Sequence, residues 1–162
     1  MGGSSVRPLL VASVALALGL AACSGSQDPE RRSESRSAAP LAERLAQADP
    51  GVGASLFGPC ATCHTIGKNA GDRYGPGLYG VLGKPVGHAS ERFATTAALQ
   101  ALGGTWDFAK MDDWLASPKH LVPQTRMAFP GMPNGVDRAD LIAYLNENGS
   151  RLPLPKAGPS GN

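Results

Sequence analysis

Residues Cys60, Ala61, Thr62, Cys63 and His64 place two thiols and an imidazole within five consecutive positions. Three chemistries use such a cluster: a tetrahedral zinc site, a redox-active dithiol, and covalent attachment of a c-type haem, in which both cysteines bond the macrocycle and the histidine reaches the iron. Zinc needs four ligands, and beyond the cluster there remain only His88 and His120, each alone in its stretch of chain, and Cys23, which the leader motif described below claims. A thioredoxin-like dithiol expects a neighbouring βαβ pattern, and no convincing strand flanks the motif. Haem attachment is therefore the best-supported reading. It asks for a second axial ligand and for a loop system that matches.

The elements around the cluster must hold it in place. Asp49 followed by Pro50 is an N-cap and first-turn pair that predicts a helix to about Phe57, which delivers Cys60 just beyond its end. From Thr65 to Gly87 the chain is punctuated by Gly and Pro and shows no sustained period, so a long structured loop is expected. Ser90 can cap a helix through Leu99 that stops at Gly103 and Gly104, and Thr105 can cap another through Ala116, ended by Pro118. In the latter, Met111, Trp114 and Leu115 share a face. Val136 and Asp137 read as a staple and N-cap opening a last helix that ends at Gly149.

This pattern predicts an all-α domain over residues 50–150, with four to five short helices joined by long Gly/Pro loops. With 21 Gly and 14 Pro in 162 residues, such loops need an internal scaffold, which argues for a large apolar cofactor at the centre. The tail, residues 151–162, is proline-rich and expected to be loose.

The first fifty residues read differently. An apolar run from Leu9 to Leu20 is shorter than the roughly 20 residues a spanning helix takes, so residues 1–22 are expected to be a removable signal peptide. The run ends in Leu20-Ala21-Ala22-Cys23, which resembles a bacterial lipobox, and the resemblance implies acylation of Cys23 as the mature N-terminus. Residues 23–49 are expected to form a lipid-anchored flexible tether, because the stretch from Ser24 to Pro40 mixes Ser, Arg and Glu with no apolar period; after that stretch, Leu41 and Leu45 lie one turn apart, as in a short helix of its own. Basic and acidic residues balance from residue 51 to 150, which gives no sign of a nucleic-acid partner.

CATCHT, GPGLYGVLGK, Trp106, WLASPKHLVPQTRMAF and DRADLIAYL occur in the order and approximate spacing of the mitochondrial-type, class I monohaem cytochromes c. The resemblance runs from about Gly51 to Asn148, and is close to the membrane-attached cytochromes c of alphaproteobacteria. It implies one covalent haem c on Cys60 and Cys63, with His64 and Met127 as the iron ligands; Met132, five residues further on, is the alternative sulfur, and the family motif favours Met127 over it. It further implies that Pro76 accepts the other ring N–H of His64, that Trp106 and Thr125 donate to a haem propionate, and that Gly53 and Phe57 pack against Leu141 and Tyr144. Three positions depart from the family pattern: Lys84 replaces an arginine near a propionate, Thr95 a tyrosine, and Gln124 a glycine.

By this resemblance the chain is an electron carrier with no catalytic residues, held as a monomer on the periplasmic side of a bacterial membrane, the inner one favoured. Its implied partners are a quinol:cytochrome c reductase and a haem-copper terminal oxidase. Two other readings stand beside it: the haem subunit of a periplasmic dehydrogenase complex, and a haem peroxidase or gas-binding domain.

Overall fold

A computed structural model of the chain describes residues 1–2 and 33–156. Cys23 and the signal-peptide reading lie outside these residues. Seven short α-helices are present among them: α1 (Glu34–Ser37), α2 (Leu41–Ala46), α3 (Pro50–Leu56), α4 (Ala97–Ala101), α5 (Phe108–Ala116), α6 (Pro118–Leu121) and α7 (Gly135–Leu145). A 3-10 turn covers Cys60–Thr62, and a π-type turn covers Asn146–Ser150. The only extended pairing among the described residues is an isolated bridge between Pro85 and Thr105. Within residues 50–150 the all-α expectation, five helices and long loops, holds.

The frame is the crossing of α3 and α7. The Asp49 carboxylate accepts from the Gly51 and Val52 amides at 2.8 and 3.3 Å, and Pro50 follows at the first helical position, where its missing N–H costs nothing. The Asp49 amide donates to the Asp140 carboxylate at 2.8 Å, tying the start of α3 to the middle of α7. A Cβ on Gly53 would lie 2.7 Å from the Tyr144 Cβ, so only glycine permits this approach. Phe57 then tilts against Tyr144, with ring centroids 5.6 Å apart. Leu141 and Ile142 of α7 are fully buried.

The other helices start where a side chain can cap them, a residue or several from the expected points. Helix α4 begins at Ala97, where Thr96 accepts from the Leu99 amide at 3.2 Å. Ser90, expected to cap it, donates instead to Asp72. Asp107 rather than Thr105 caps α5, because Thr105 is committed to the bridge with Pro85. Asn134 caps α7, accepting from the Val136 and Asp137 amides, so the turn starts before Val136. Met111, Trp114 and Leu115 are all buried, as their shared face requires.

Two boundaries move. Residues from Ser33 onward, assigned by composition to the tether, pack on the domain: Leu45 of α2 is 1% exposed, and Ser37 accepts from the Gly135 amide at 2.6 Å. The charged composition misleads here because Arg44 is not solvated; it forks onto Asp112, at 3.0 and 2.8 Å, and Arg138 binds the same carboxylate at 2.7 Å. At the other end, Asn146 exchanges two hydrogen bonds with the backbone of Leu152, at 2.8 and 2.9 Å, so the start of the expected loose tail is fastened. Residues 157–162 lie outside the described part.

Candidate functional site

Helix α3 and Phe57 lead directly into the 3-10 turn that carries the cysteines. The amides of Cys63 and His64 both donate to the Cys60 carbonyl, at 3.0 and 2.9 Å, so the two thiols and the imidazole leave one tight turn. Both cysteines are free; Cys60 is half-buried and Cys63 exposed. Burial pushes the Cys60 thiol up, its own backbone hydrogen bond opposing. Among the described residues no three His, Cys, Asp or Glu side chains converge to hold a metal ion.

His64 Nδ1 lies 2.7 Å from the Pro76 carbonyl oxygen. A carbonyl can only accept, so Nδ1 carries the proton and Nε2 keeps a free lone pair. The loop bearing Pro76 is fixed on both sides: the Gly75 amide donates to the Cys63 carbonyl at 2.9 Å, and the Leu78 amide to the Thr65 carbonyl at 2.8 Å. The Thr65 hydroxyl adds a bond to the Gly71 carbonyl. A Cβ on Gly75 would lie 2.8 Å from His64 Nδ1, so this position admits no side chain while the ring stays in place.

These groups open onto a cavity of about 410 Å³ walled mainly by apolar side chains, among them Val81, Leu99, Met111, Leu115, Leu141 and Leu145. All seven expected cofactor-binding residues within the described part line it: Cys60, Cys63, His64, Pro76, Trp106, Thr125 and Met127. Trp106 and Trp114 form one wall, with ring centroids 5.5 Å apart at 58°. Thr125 accepts from the Met127 amide at 3.2 Å, which shapes the loop presenting that methionine.

The rival residues point elsewhere. Met132 is half-buried beside the core but does not line the cavity, and its amide donates to the Leu115 carbonyl at 2.8 Å. His88 and His120 are exposed and away from the cavity wall. Thr95 does line it, though its hydroxyl donates to the Gly87 carbonyl at 2.7 Å. Lys84 does not, and its ammonium is spent on the Tyr79 and Ala89 carbonyls at 3.1 and 2.8 Å, fastening a loop. Sequence reasoning missed the steric role of Gly75, whose only signal was its place in the GPG triplet.

No family model matches the chain. A cytochrome c homologue of Bradyrhizobium diazoefficiens is 40% identical over 119 residues, 73% of this chain and 65% of its own length. Cytochrome c2 of Rhodoblastus acidophilus is 42% identical over 99 residues, 61% of this chain and 92% of its own. Among solved structures, cytochrome cH from Methylobacterium extorquens is 39% identical, with a TM-score of 0.58 covering 62% of this chain and 99% of that one. The chain belongs to the class I cytochromes c. This cytochrome carries one covalent haem c and transfers electrons; it is not an enzyme.

The cytochrome's residues fit that cofactor. The cavity is apolar where a macrocycle would lie, has the two thiols at its edge, and receives an imidazole already in the tautomer that ligates through Nε2. When bound, the haem supplies one iron that changes oxidation state by a single electron. The side chains that line the cavity would then exclude water from it and fix its orientation.

Proposed function

We propose that Cys60 and Cys63 attach the haem, that His64 and Met127 fill both axial positions, and that Trp106 and Thr125 donate to a propionate, with Pro76 orienting His64. The observation that carries this reading is the shared cavity, which brings together residues up to 67 positions apart in sequence as the walls of one apolar space. Ligation by a thioether sulfur and an imidazole would raise the reduction potential and leave the iron no free site, which suits a carrier and disfavours peroxidase or gas-binding chemistry.

We further infer a lipid-anchored carrier on the periplasmic side of a bacterial membrane, the inner membrane favoured, moving single electrons from a quinol:cytochrome c reductase to a haem-copper oxidase. Support comes from the Leu20-Ala21-Ala22-Cys23 motif after an apolar run, and from the balanced charge of the haem domain. Residues 1–22 are then a removed signal peptide, and the anchored segment from Cys23 joins the folded domain near Ser33.

The visible spectrum of the purified protein, with and without carbon monoxide, tests the ligation. A six-coordinate carrier takes up carbon monoxide slowly or not at all; immediate binding by the reduced protein would assign it to the gas-binding class. Intact mass of the mature protein tests the anchor, and a mass without added acyl chains would remove it.

A further inference from the structure

His64 is reached by a charged residue that does not touch it. The Pro76–Gly77 peptide group turns its carbonyl toward His64 Nδ1, at 2.7 Å, and its N–H toward Asp72 Oδ1, also at 2.7 Å. A trans peptide points these two dipoles in opposite directions, so the imidazole and the carboxylate lie on opposite sides of one planar unit. The other oxygen of Asp72 accepts from the Ser90 hydroxyl at 2.7 Å. The result is a single line of hydrogen bonds: hydroxyl to carboxylate, amide N–H to the same carboxylate, and imidazole N–H to the carbonyl of that amide.

We propose that Asp72 is a positioning residue that tunes His64 electrostatically through the Pro76–Gly77 peptide. A negative charge at the N–H end of a peptide group draws its dipole up and increases electron density on the carbonyl oxygen, so the carbonyl becomes a stronger acceptor. The bond from His64 Nδ1 strengthens, the proton staying on that nitrogen, and Nε2 becomes a better donor to a metal. Stronger donation favours the more highly charged oxidised iron, so the carboxylate lowers the midpoint potential. Its surroundings keep the carboxylate ionised: the bond from Gly77, then that from Ser90, holds its pKa below the usual range, and Arg92 and Lys84 add favourable field. Gly77 is held in place for it, since a Cβ there would crowd the Gly71 carbonyl and the Thr65 hydroxyl, each at 3.0 Å.

The inference rests on His64 being the iron ligand, and the experiment separates the two. Holoprotein is prepared as wild type, Asp72→Asn and Ser90→Ala, and both the midpoint potential and the proton resonance of His64 Nδ1–H in the reduced state are recorded. Asp72→Asn keeps the shape and an acceptor for Gly77 but removes the charge. It should raise the potential and move the Nδ1–H resonance upfield, as a weakened hydrogen bond does. Ser90→Ala leaves the charge and frees it to act on Gly77, so the potential should hold or fall. If Asp72→Asn leaves both readouts unmoved, or if the two variants shift the potential upward together as a loosened loop would, the proposal is overturned. Should His64 ring signals in wild type lack the large displacement of an axial ligand, the ligand assignment itself fails and takes the proposal with it.

Discussion

Arg44 grips Asp112 with a two-pronged fork, Nη1 to Oδ1 at 3.0 Å and Nη2 to Oδ2 at 2.8 Å, and both side chains are about nine-tenths buried. Arg138 shares the carboxylate at 2.7 Å. Removing the anion leaves both guanidinium groups their backbone carbonyl partners but no counter-charge, and breaking a buried pair in this way costs about 3–5 kcal/mol. Asp112→Ala should lower stability to urea by that order and expose the bond after Arg44 to trypsin, while leaving the haem spectrum unchanged. A variant as stable and as resistant as wild type would show that α1 and α2 are not docked through this cluster.

The same carboxylate sets an acid limit on the docking. Burial alone would raise the Asp112 pKa, but the hydrogen bonds and charges of Arg44 and Arg138 outweigh it and hold the carboxyl below its ordinary value. A carboxyl depressed in the folded state contributes its stability above its unfolded value, about 3.9, and loses it as pH falls through the folded value. Docking of residues 33–48 should therefore be constant at neutrality and weaken only below about pH 4. Trypsin protection of Arg44, or hydrogen exchange where trypsin is inactive, reads this directly; release between pH 6 and 8 would contradict it.

Gly75→Ala tests the packing of the proximal loop. The new Cβ would overlap the His64 ring. Forcing a methyl group into a filled site costs about 1–3 kcal/mol, and the ring or the loop must yield. The expected result is a lower yield of holoprotein with a shifted potential. A variant with wild-type spectrum, potential and stability would mean that the ring sits elsewhere in the loaded protein.

The two methionines separate by location. Met127→Ala should abolish the weak far-red sulfur-to-iron band, lower the potential and open the iron to carbon monoxide, because Met127 lines the cavity. Met132→Ala should leave all three unchanged and cost no more than the low end of the roughly 2–5 kcal/mol that a buried methionine costs, because this side chain is only partly buried. The reverse pattern would exchange the assignment.

The charge pattern predicts how the carrier meets its partners. The rim of the cavity carries Arg126 but no lysine, and the domain's charges balance, so long-range steering is weak. Electron transfer in native membranes should change little between low and physiological salt. A soluble form lacking Cys23 should regain full flux only at high concentration, because it forfeits the local concentration an anchor supplies. Full flux at micromolar levels with a steep salt dependence would overturn both the steering argument and the need for an anchor.

What could be read from the sequence divides by distance along the chain. The Cys60–His64 turn, the Asp49–Pro50 cap and the face of Met111, Trp114 and Leu115 are local patterns, and local physics fixes them. The docking of α2 was not legible, because Arg44 and Asp112 are 68 positions apart and each looks like an ordinary surface charge. Ser90 illustrates the same difficulty. It has the credentials of a helix cap, but a carboxylate 18 residues earlier competes for its hydroxyl and wins. Lys84 shows it again: its commitment to the Tyr79 and Ala89 carbonyls follows from the path of a loop whose glycines left no period to read.

The docking of residues 33–48 has a geometric consequence for the proposed anchor. Only residues 24–32 then separate an acylated Cys23 from folded protein, and fully extended they reach at most about 30 Å. The haem domain would be confined to a thin layer over the bilayer, sharing the lateral mobility of its lipid. Encounters would be set by how many partner complexes occupy a given area of membrane, so a swollen periplasm should leave the rate alone, and dilution of the partners with extra lipid should slow it in proportion.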